Sequence, residues 1–428
     1  MPLTEKFDKV PIAEGLNLYF CPTDRFKAVS VNVFIHLPLN ENVTANSLLS
    51  SILPRGCKKY VNMRKISTFL ESLYGSSFSS DVNKIGERHL LEFGFRGLAD
   101  RFLPKKGNHL KQGLIFLKRI ISEPLVKNNG FYPEYVAQEK ENLRKEISGL
   151  KDDKMEYARQ RFIEVMCPDE PYRFYDCGRI EDIDSVTPQS LLKRLHYIIQ
   201  KAPIDIFVYG HFSPAGIKKM VRNSFNIKRE LPVQNVPATI VNKKVGEEKV
   251  FREEMADAQQ AKLLMGYRTY TTWSDEDVFP LMVFNGVLGA YPHSKLFTNV
   301  REKAGLAYYA SSALERTKGL MFIHSGILPD KFELAVKIIK EQVDQVRQGD
   351  FTDEEIANTK KAITDRLQSL RDSPGALVGF TLEHSINNRH DSLEVIEQKI
   401  NSVAKEDIIR MAEKIKLDTI YFLSAGKQ

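Results

Sequence analysis

FYPEYVAQEKENLRKEISGLKDD (Phe131–Asp153) and FTDEEIANTKKAITDRLQSLRDS (Phe351–Ser373) align without a gap. Phe131, Ala137, Lys140 and Leu150 meet Phe351, Ala357, Lys360 and Leu370, while Leu143 and Ile147 meet Ile363 and Leu367. Apolar residues recur every three or four positions in both copies, the spacing of one helix face, so each copy is a long amphipathic helix. A repeat at this distance makes the chain a duplication, and self-similarity decides the fold before any single motif does.

Two more matches occur in the same order. Phe69–Gly75 lines up with Asn299–Gly305, each reading as a helix followed by a glycine suited to its C-terminal cap. Each half closes on an apolar strand running into glycine, IDIFVYG (Ile204–Gly210) and TIYFLSAG (Thr419–Gly426). Within the first half the pattern predicts a hairpin of Leu16–Phe20 with Val31–His36, helices over Thr44–Leu53 and Lys65–Leu73, and a strand pair Ser77–Val82 with His89–Phe95. Helices over Lys111–Ser122, Tyr132–Leu150 and Pro188–Ile199 follow, and the second half repeats the scheme. Strands mixed with helices but few βαβ alternations predict an α+β class: in each half, helices on one face of a mainly antiparallel sheet. The halves are residues 1–229 and 249–428, joined by the polar, proline-containing linker 230–248.

A chain of 428 residues exceeds one ordinary domain, and 42% hydrophobic with 27% charged residues can bury sizeable cores. A net charge of +7 is modest for this length, and basic pairs such as Lys58-Lys59 and Lys105-Lys106 read as solvated loops, so neither nucleic acid nor a membrane surface is expected as partner. No stretch is apolar for the roughly 18 residues that a membrane helix needs. Met1–Val10 carries Glu5 and Asp8 and no apolar core, unlike a secretory signal. Cys21, Cys57, Cys167 and Cys177 are scattered, and read as reduced thiols of a cytoplasmic protein.

Particular residues carry a family resemblance. In the first half these are Pro171-Tyr172-Arg173, Gly178 and Gly210-His211-Phe212-Ser213-Pro214; in the second, Ser294-Lys295-Leu296-Phe297 and Val300-Arg301-Glu302-Lys303-Ala304-Gly305-Leu306-Ala307-Tyr308. The chain resembles the pitrilysin/insulinase (M16) family of zinc peptidases, in the small-subunit branch with mitochondrial processing peptidase, and within it the bacterial YmfF-type proteins that lack the zinc motif. The resemblance spans nearly the whole chain and implies two halves of the LuxS/MPP-like metallohydrolase fold.

Catalytic members of the family carry an inverted HxxEH on the first helix, where two histidines four apart grip zinc and the glutamate polarises its water. With Leu53-Pro54-Arg55-Gly56 as anchor, Ser47, Ser50 and Ser51 stand at those three positions. A serine hydroxyl is neither a good zinc ligand nor a base at neutral pH. No histidine lies between His36 and His89, so no slipped register restores the pair. The family's third ligand is a glutamate seven residues after another, positions held by Glu139 and Glu146; Glu146 reads as a vestigial ligand position or a solvated helix carboxylate. Glu383-His384 looks like the end of the motif, but Phe380 takes the first histidine's place, and His384 and His390 are six apart, on different helix faces. No metal and no other cofactor is expected on this chain.

The resemblance also implies that Arg301 and Tyr308 bind the substrate backbone and help stabilise a developing oxyanion, a task suited to guanidinium and phenol donors. The glycine-rich loop of the family's noncatalytic processing subunit is reduced here to Gly289-Ala290-Tyr291-Pro292-His293, which gives presequence-type recognition no support. The expected role is a non-catalytic subunit that brings Arg301 and Tyr308 to a zinc-bearing homologue acting on peptides or unfolded polypeptide, with self-pairing in isolation left open. The competing readings are a purely structural or peptide-binding protein, and a hydrolase rebuilt on Ser47, Ser50 or Ser51. The last lacks both a GxSxG elbow and a His/Asp partner.

Overall fold

Two sheets carry the chain, in a computed structural model that describes residues 6–104, 107–227, 229–256 and 260–425. Met1–Glu5 of the N-terminal segment, Lys105-Lys106 and Gly426 lie outside the described residues. The first sheet contains β1 (Asp8–Ala13), β2 (Leu16–Pro22), β3 (Ala28–Pro38), β4 (Ser77–Ile85), β5 (Arg88–Leu98) and β6 (Ile204–Gly210), in the order β1-β2-β6-β3-β5-β4. The second contains β7 (Lys249–Glu254), β8 (Ala261–Arg268), β9 (Ala307–Glu315), β10 (Leu320–Ile327) and β11 (Lys416–Ser424), in the order β7-β11-β8-β10-β9.

Without β1 the two orders superimpose, strand for strand. In each sheet one pair is parallel, β2 with β6 and β7 with β11, and the others are antiparallel. The duplication therefore extends to backbone direction and gives the α+β architecture anticipated from the sequence. It extends to helix ends too: Ser76 N–H donates to Leu70 O at 3.1 Å and Leu306 N–H to Val300 O at 3.2 Å, a six-residue closure in both copies. That closure needs a left-handed residue just before it, supplied by Gly75 (φ +71°) and Gly305 (φ +59°).

The expected hairpin of Leu16–Phe20 with Val31–His36 does not form, because β6 lies between them. Every residue of β6 is buried, so it is stable only with a strand on either side. A partner supplied from nearly 200 residues later is invisible to local pattern.

Contacts divide the chain into two units: Met1–Gly149 with Phe174–Ala238, and Leu150–Arg173 with Thr239–Gln428. In the first, helices Val43–Ile52, His109–Ser122, Pro133–Gly149 and Pro188–Lys201 share one buried core with the sheet. The second includes a segment that the sequence reading leaves in the first half. Its helix Lys154–Met166 buries Phe162, Ile163 and Met166 against Leu264, Phe322, Tyr421 and Leu423 of the second sheet. Just beyond it, Glu170 accepts from both Nη atoms of Arg268 (2.9 and 2.6 Å) and from Lys318 Nζ (2.7 Å). Arg268 also reaches Asp418 at 2.8 Å, closing a buried ion network. Residues 230–248 form neither helix nor strand. Among the described residues no helix is long and apolar enough to cross a membrane.

Candidate functional site

Helix Val43–Ile52 presents the three serines, and each hydroxyl position is turned to local bonding. Ser47 is buried and its Oγ donates to the carbonyl of Asp176 at 2.8 Å. The carbonyl of buried Ser50 accepts from Ser80 Oγ on β4 at 2.8 Å. Ser51, exposed, donates back to Ser47 O at 3.3 Å. The helix is fixed from behind by Asn46, whose Oδ1 accepts from Arg194 Nε at 3.0 Å and whose amide lies 3.0 Å from His89 Nδ1. Burial pushes the His89 imidazole down to about 4, so it is neutral at pH 7.

The loop carrying Asp176 is stapled to the same helix. Gly178 sits at φ +106° against Thr44, and a Cβ there would meet Thr44 Cα at 2.7 Å. Arg179 N–H donates to Thr44 Oγ1 at 3.0 Å, and Lys84 Nζ to Phe174 O at 2.9 Å. Cys177 Sγ–H points to Glu146 Oε1 at 3.4 Å. One short loop thus bridges the serine-bearing helix and the helix that carries Glu146. Exposed Glu146 fits the solvated reading with this thiol added. Glu139 does not: it is buried, ion-paired with Arg55 and bonded by Asn142 Nδ2 at 3.1 Å.

These residues do not fit zinc. A catalytic zinc takes three imidazole or carboxylate ligands and keeps one position for water. Here the first ligand position is a hydroxyl directed at a backbone carbonyl, and the carboxylate that remains is engaged by a thiol. Among the described residues no group of three or more His, Cys, Asp and Glu side chains is placed to hold a metal ion. The arrangement is equally poor for covalent catalysis, since among the described residues no His, Asp or Glu side chain is hydrogen-bonded to Ser47, Ser50 or Ser51. Burial raises the Cys177 thiol well above its ordinary value, and Asp176 and Glu146 raise it further, so no nucleophilic thiolate forms near neutrality.

The second unit treats its candidates differently. Arg301, in the widely wound helical turn Phe297–Lys303, is exposed, and among the described residues its guanidinium partner is the Phe297 ring, 4.5 Å away. Tyr308 lies on β9, the edge strand, where Gly326 pairs with Tyr309 but Ile327 pairs with Ala307. Tyr308 is thus the extra residue of a β-bulge and is 66% exposed. Bulges re-aim side chains in this way. His384 is buried between Phe380 and Trp273, ring centroids at 3.9 and 4.3 Å, and burial lowers it to about 3, whereas His390 is exposed.

The structure brings Ser47, Ser50, Ser51 and Glu146 into one neighbourhood, and Arg301 and Tyr308 onto adjoining elements. Sequence reading missed Asn46, His89, Asp176 and Cys177 as parts of the first neighbourhood. Gly178 was the available signal, since a glycine pressed on a helix fixes the residues before it.

Comparison with known proteins is consistent with this geometry. A family model described as "Peptidase M16 inactive domain" matches residues 185–363. A Bacillus subtilis (strain 168) protein named "Probable inactive metalloprotease YmfF" is 37% identical over 410 residues, 96% of each chain. "Uncharacterized zinc protease YmxG" from the same strain is 24% identical over 243 residues, 56% of this chain and 57% of that one. Among solved structures, a conserved protein from Enterococcus faecalis V583 superimposes with a TM-score of 0.90 at 29% identity, covering 99% of both chains.

Proposed function

The chain belongs to the peptidase M16 family, as an inactive metalloprotease homologue, and from that premise we propose that it is the non-catalytic subunit of a two-chain zinc peptidase. Its partner is a homologue with an intact HxxEH, and the shared substrate is peptide or unfolded polypeptide. The carrying observation is the contrast between two donor sets. The Ser47 and Ser51 hydroxyls are spent on neighbouring backbone and Ser50 is bonded by Ser80, while Arg301 and Tyr308 stand exposed, with Tyr308 re-aimed by its bulge. Donors aimed at a developing oxyanion act through geometry and charge, and need no metal on their own chain. Four scattered cysteines, with no disulfide among the described residues, support a cytoplasmic location.

The test is affinity purification of the tagged chain from its own host, followed by peptidase assays of the recovered complex. The expected result is a similar-sized HxxEH protein and an activity that neither chain shows alone. In that complex, Arg301→Ala or Tyr308→Phe should lower kcat/KM about 10- to 100-fold, at the lower edge of the loss seen on removing an oxyanion donor, with assembly intact. Recovery of the chain alone, or unchanged turnover in both variants, would remove the proposal's support.

A further inference from the structure

The second unit contains a cavity of about 320 Å³ for which the role just proposed has no use. Its place in the fold is informative. Ser80 Oγ on β4 donates to Ser50 O, and in the duplicate Ser312 Oγ on β9 donates to Asn285 O at 3.3 Å. Asn285 is therefore the counterpart of Ser50, and it lines the cavity. In the aligned long helices Glu146 corresponds to Arg366, which also lines it. The cavity therefore stands at the place equivalent to the one where, in the first unit, the Asp176–Cys177 loop joins the serine-bearing helix to the Glu146 helix.

Its wall has a distinct chemistry. Leu314, Ile363 and Phe380 give apolar surface. Trp273 and Asn285 also line it, are only 2% and 8% exposed, and have a polar atom without a hydrogen-bond partner, Nε1 and Oδ1. An unpaired buried polar atom costs about 1–3 kcal/mol, which a matching ligand group recovers. Arg316 lies over the Trp273 ring at 4.6 Å, is 3.8 Å from Glu383, and has an unpaired Nε. Exposed Arg366 has no acidic partner among the described residues. The lining thus carries two guanidinium groups against one carboxylate, around an apolar interior.

We propose that this cavity binds an α-carboxylate that bears an apolar side chain and an N–H, either a free apolar amino acid or the last residue of a peptide. The carboxylate sits at Arg366 and Arg316, and the side chain lies against Leu314, Ile363 and Phe380. The volume lies at the lower end of the range for small-ligand pockets, about 300–1,000 Å³, suited to a single residue.

Trp273 is the single tryptophan of the chain, so its emission reports on the cavity alone. The full chain is titrated, by fluorescence and calorimetry, with N-acetyl-L-leucine, N-acetyl-L-leucinamide, L-leucine and N-acetyl-Ala-Ala-Leu. Saturable binding of the acid, with the amide at least about tenfold weaker, is expected. Arg366→Met should weaken the acid by a similar factor, and Gly379→Leu should abolish binding. A Cβ at Gly379, also on the lining, meets nothing within 4 Å, so a side chain can leave the helix there and enter the cavity. Tighter binding of the tripeptide than of free leucine identifies a chain end as the occupant, and the reverse identifies the amino acid. Equal affinity for acid and amide, no heat or emission change up to about 10 mM, or full binding by Gly379→Leu would overturn the proposal.

Discussion

Glu170 precedes Pro171-Tyr172-Arg173, one of the strings on which the family resemblance rests, and its replacement by glutamine gives a measurable test of what that region does. The carboxylate is 3% exposed and holds Arg268 through two bonds and Lys318 through one. Glutamine keeps the shape and removes the charge, leaving Arg268 with Asp418 alone and Lys318 without its buried carboxylate. Breaking a buried pair in this way costs roughly 3–5 kcal/mol. Titration gives a second route to the same figure. Burial by itself would raise the Glu170 carboxyl, but the bonds from Arg268 and Lys318 outweigh it and bring it from 4.5 down to about 2. A depression of about 2.5, at about 1.4 kcal/mol per pKa unit, is roughly 3 kcal/mol.

Because the folded value is depressed, this stability is present in full above the unfolded value of 4.5 and is lost as pH falls towards about 2. Scanning calorimetry of wild type and Glu170→Gln should therefore differ by roughly 10 °C in Tm near neutrality, at about 2–4 °C per kcal/mol for a unit of this size. The gap should shrink to less than half near about pH 3, where the unfolded carboxyl is protonated. A gap below about 1 kcal/mol at neutrality, or one that does not narrow on acidification, would refute the ion-network reasoning and return this segment to a candidate functional role.

The first unit supports three further outcomes. Ser47→His with Ser50→Glu and Ser51→His restores the motif on paper, yet the loop held on Thr44 by Gly178 and Arg179 and the Cys177–Glu146 contact occupy its surroundings. Metal analysis should find far less than one zinc per chain, and stoichiometric zinc would show that only the ligands were missing. Gly178→Ala forces a side chain into left-handed backbone at 2.7 Å from Thr44 Cα, and should cost about 1–3 kcal/mol in urea unfolding; an unchanged midpoint contradicts the stapled loop. The thiol of Cys177 is raised by burial, then by Asp176 and Glu146. Iodoacetamide should label it slowly near pH 7.5 and faster in Glu146→Gln, with equal rates counting against the contact.

What was legible in the sequence follows the range of the forces involved. The amphipathic helix beginning at Phe131 and its copy at Phe351 declare themselves, because a helix face repeats every three or four residues. The absence of zinc ligands was equally plain, since ligation depends on side-chain identity at three adjacent positions. The insertion of β6 between β2 and β3 was hidden, because strand pairing is set by tertiary burial and not by neighbours in the chain. Helix Lys154–Met166 was missed for the same reason: its charged residues mask a stripe whose burial partners are on β8, β10 and β11. The bond from Ser47 to Asp176 was unreadable in principle, since the acceptor is a backbone carbonyl that every residue possesses.

Buried polar atoms without partners occur in both copies of the fold, and those at the second cavity bear on function. Around the serines, Ser47, Ser51, Asn46 and the Asp176–Cys177 loop are bonded to neighbouring groups, while His89 Nε2 and Arg194 Nη2 are left over. At the counterpart pocket Asn285 Oδ1, Trp273 Nε1 and Arg316 Nε are left without partners. At about 1–3 kcal/mol each, three such atoms forgo more stability than most single substitutions remove. Isosteric apolar residues would relieve much of that cost in a chain that served solely as a scaffold. The exposed Arg301 and Tyr308 incur no such penalty, so this energetic argument does not extend to them. The second cavity therefore adds to the case against a purely structural role, and Asn285→Leu makes its cost measurable: a more stable chain is expected, whereas a chain of unchanged stability would mean that Asn285 Oδ1 was never unsatisfied.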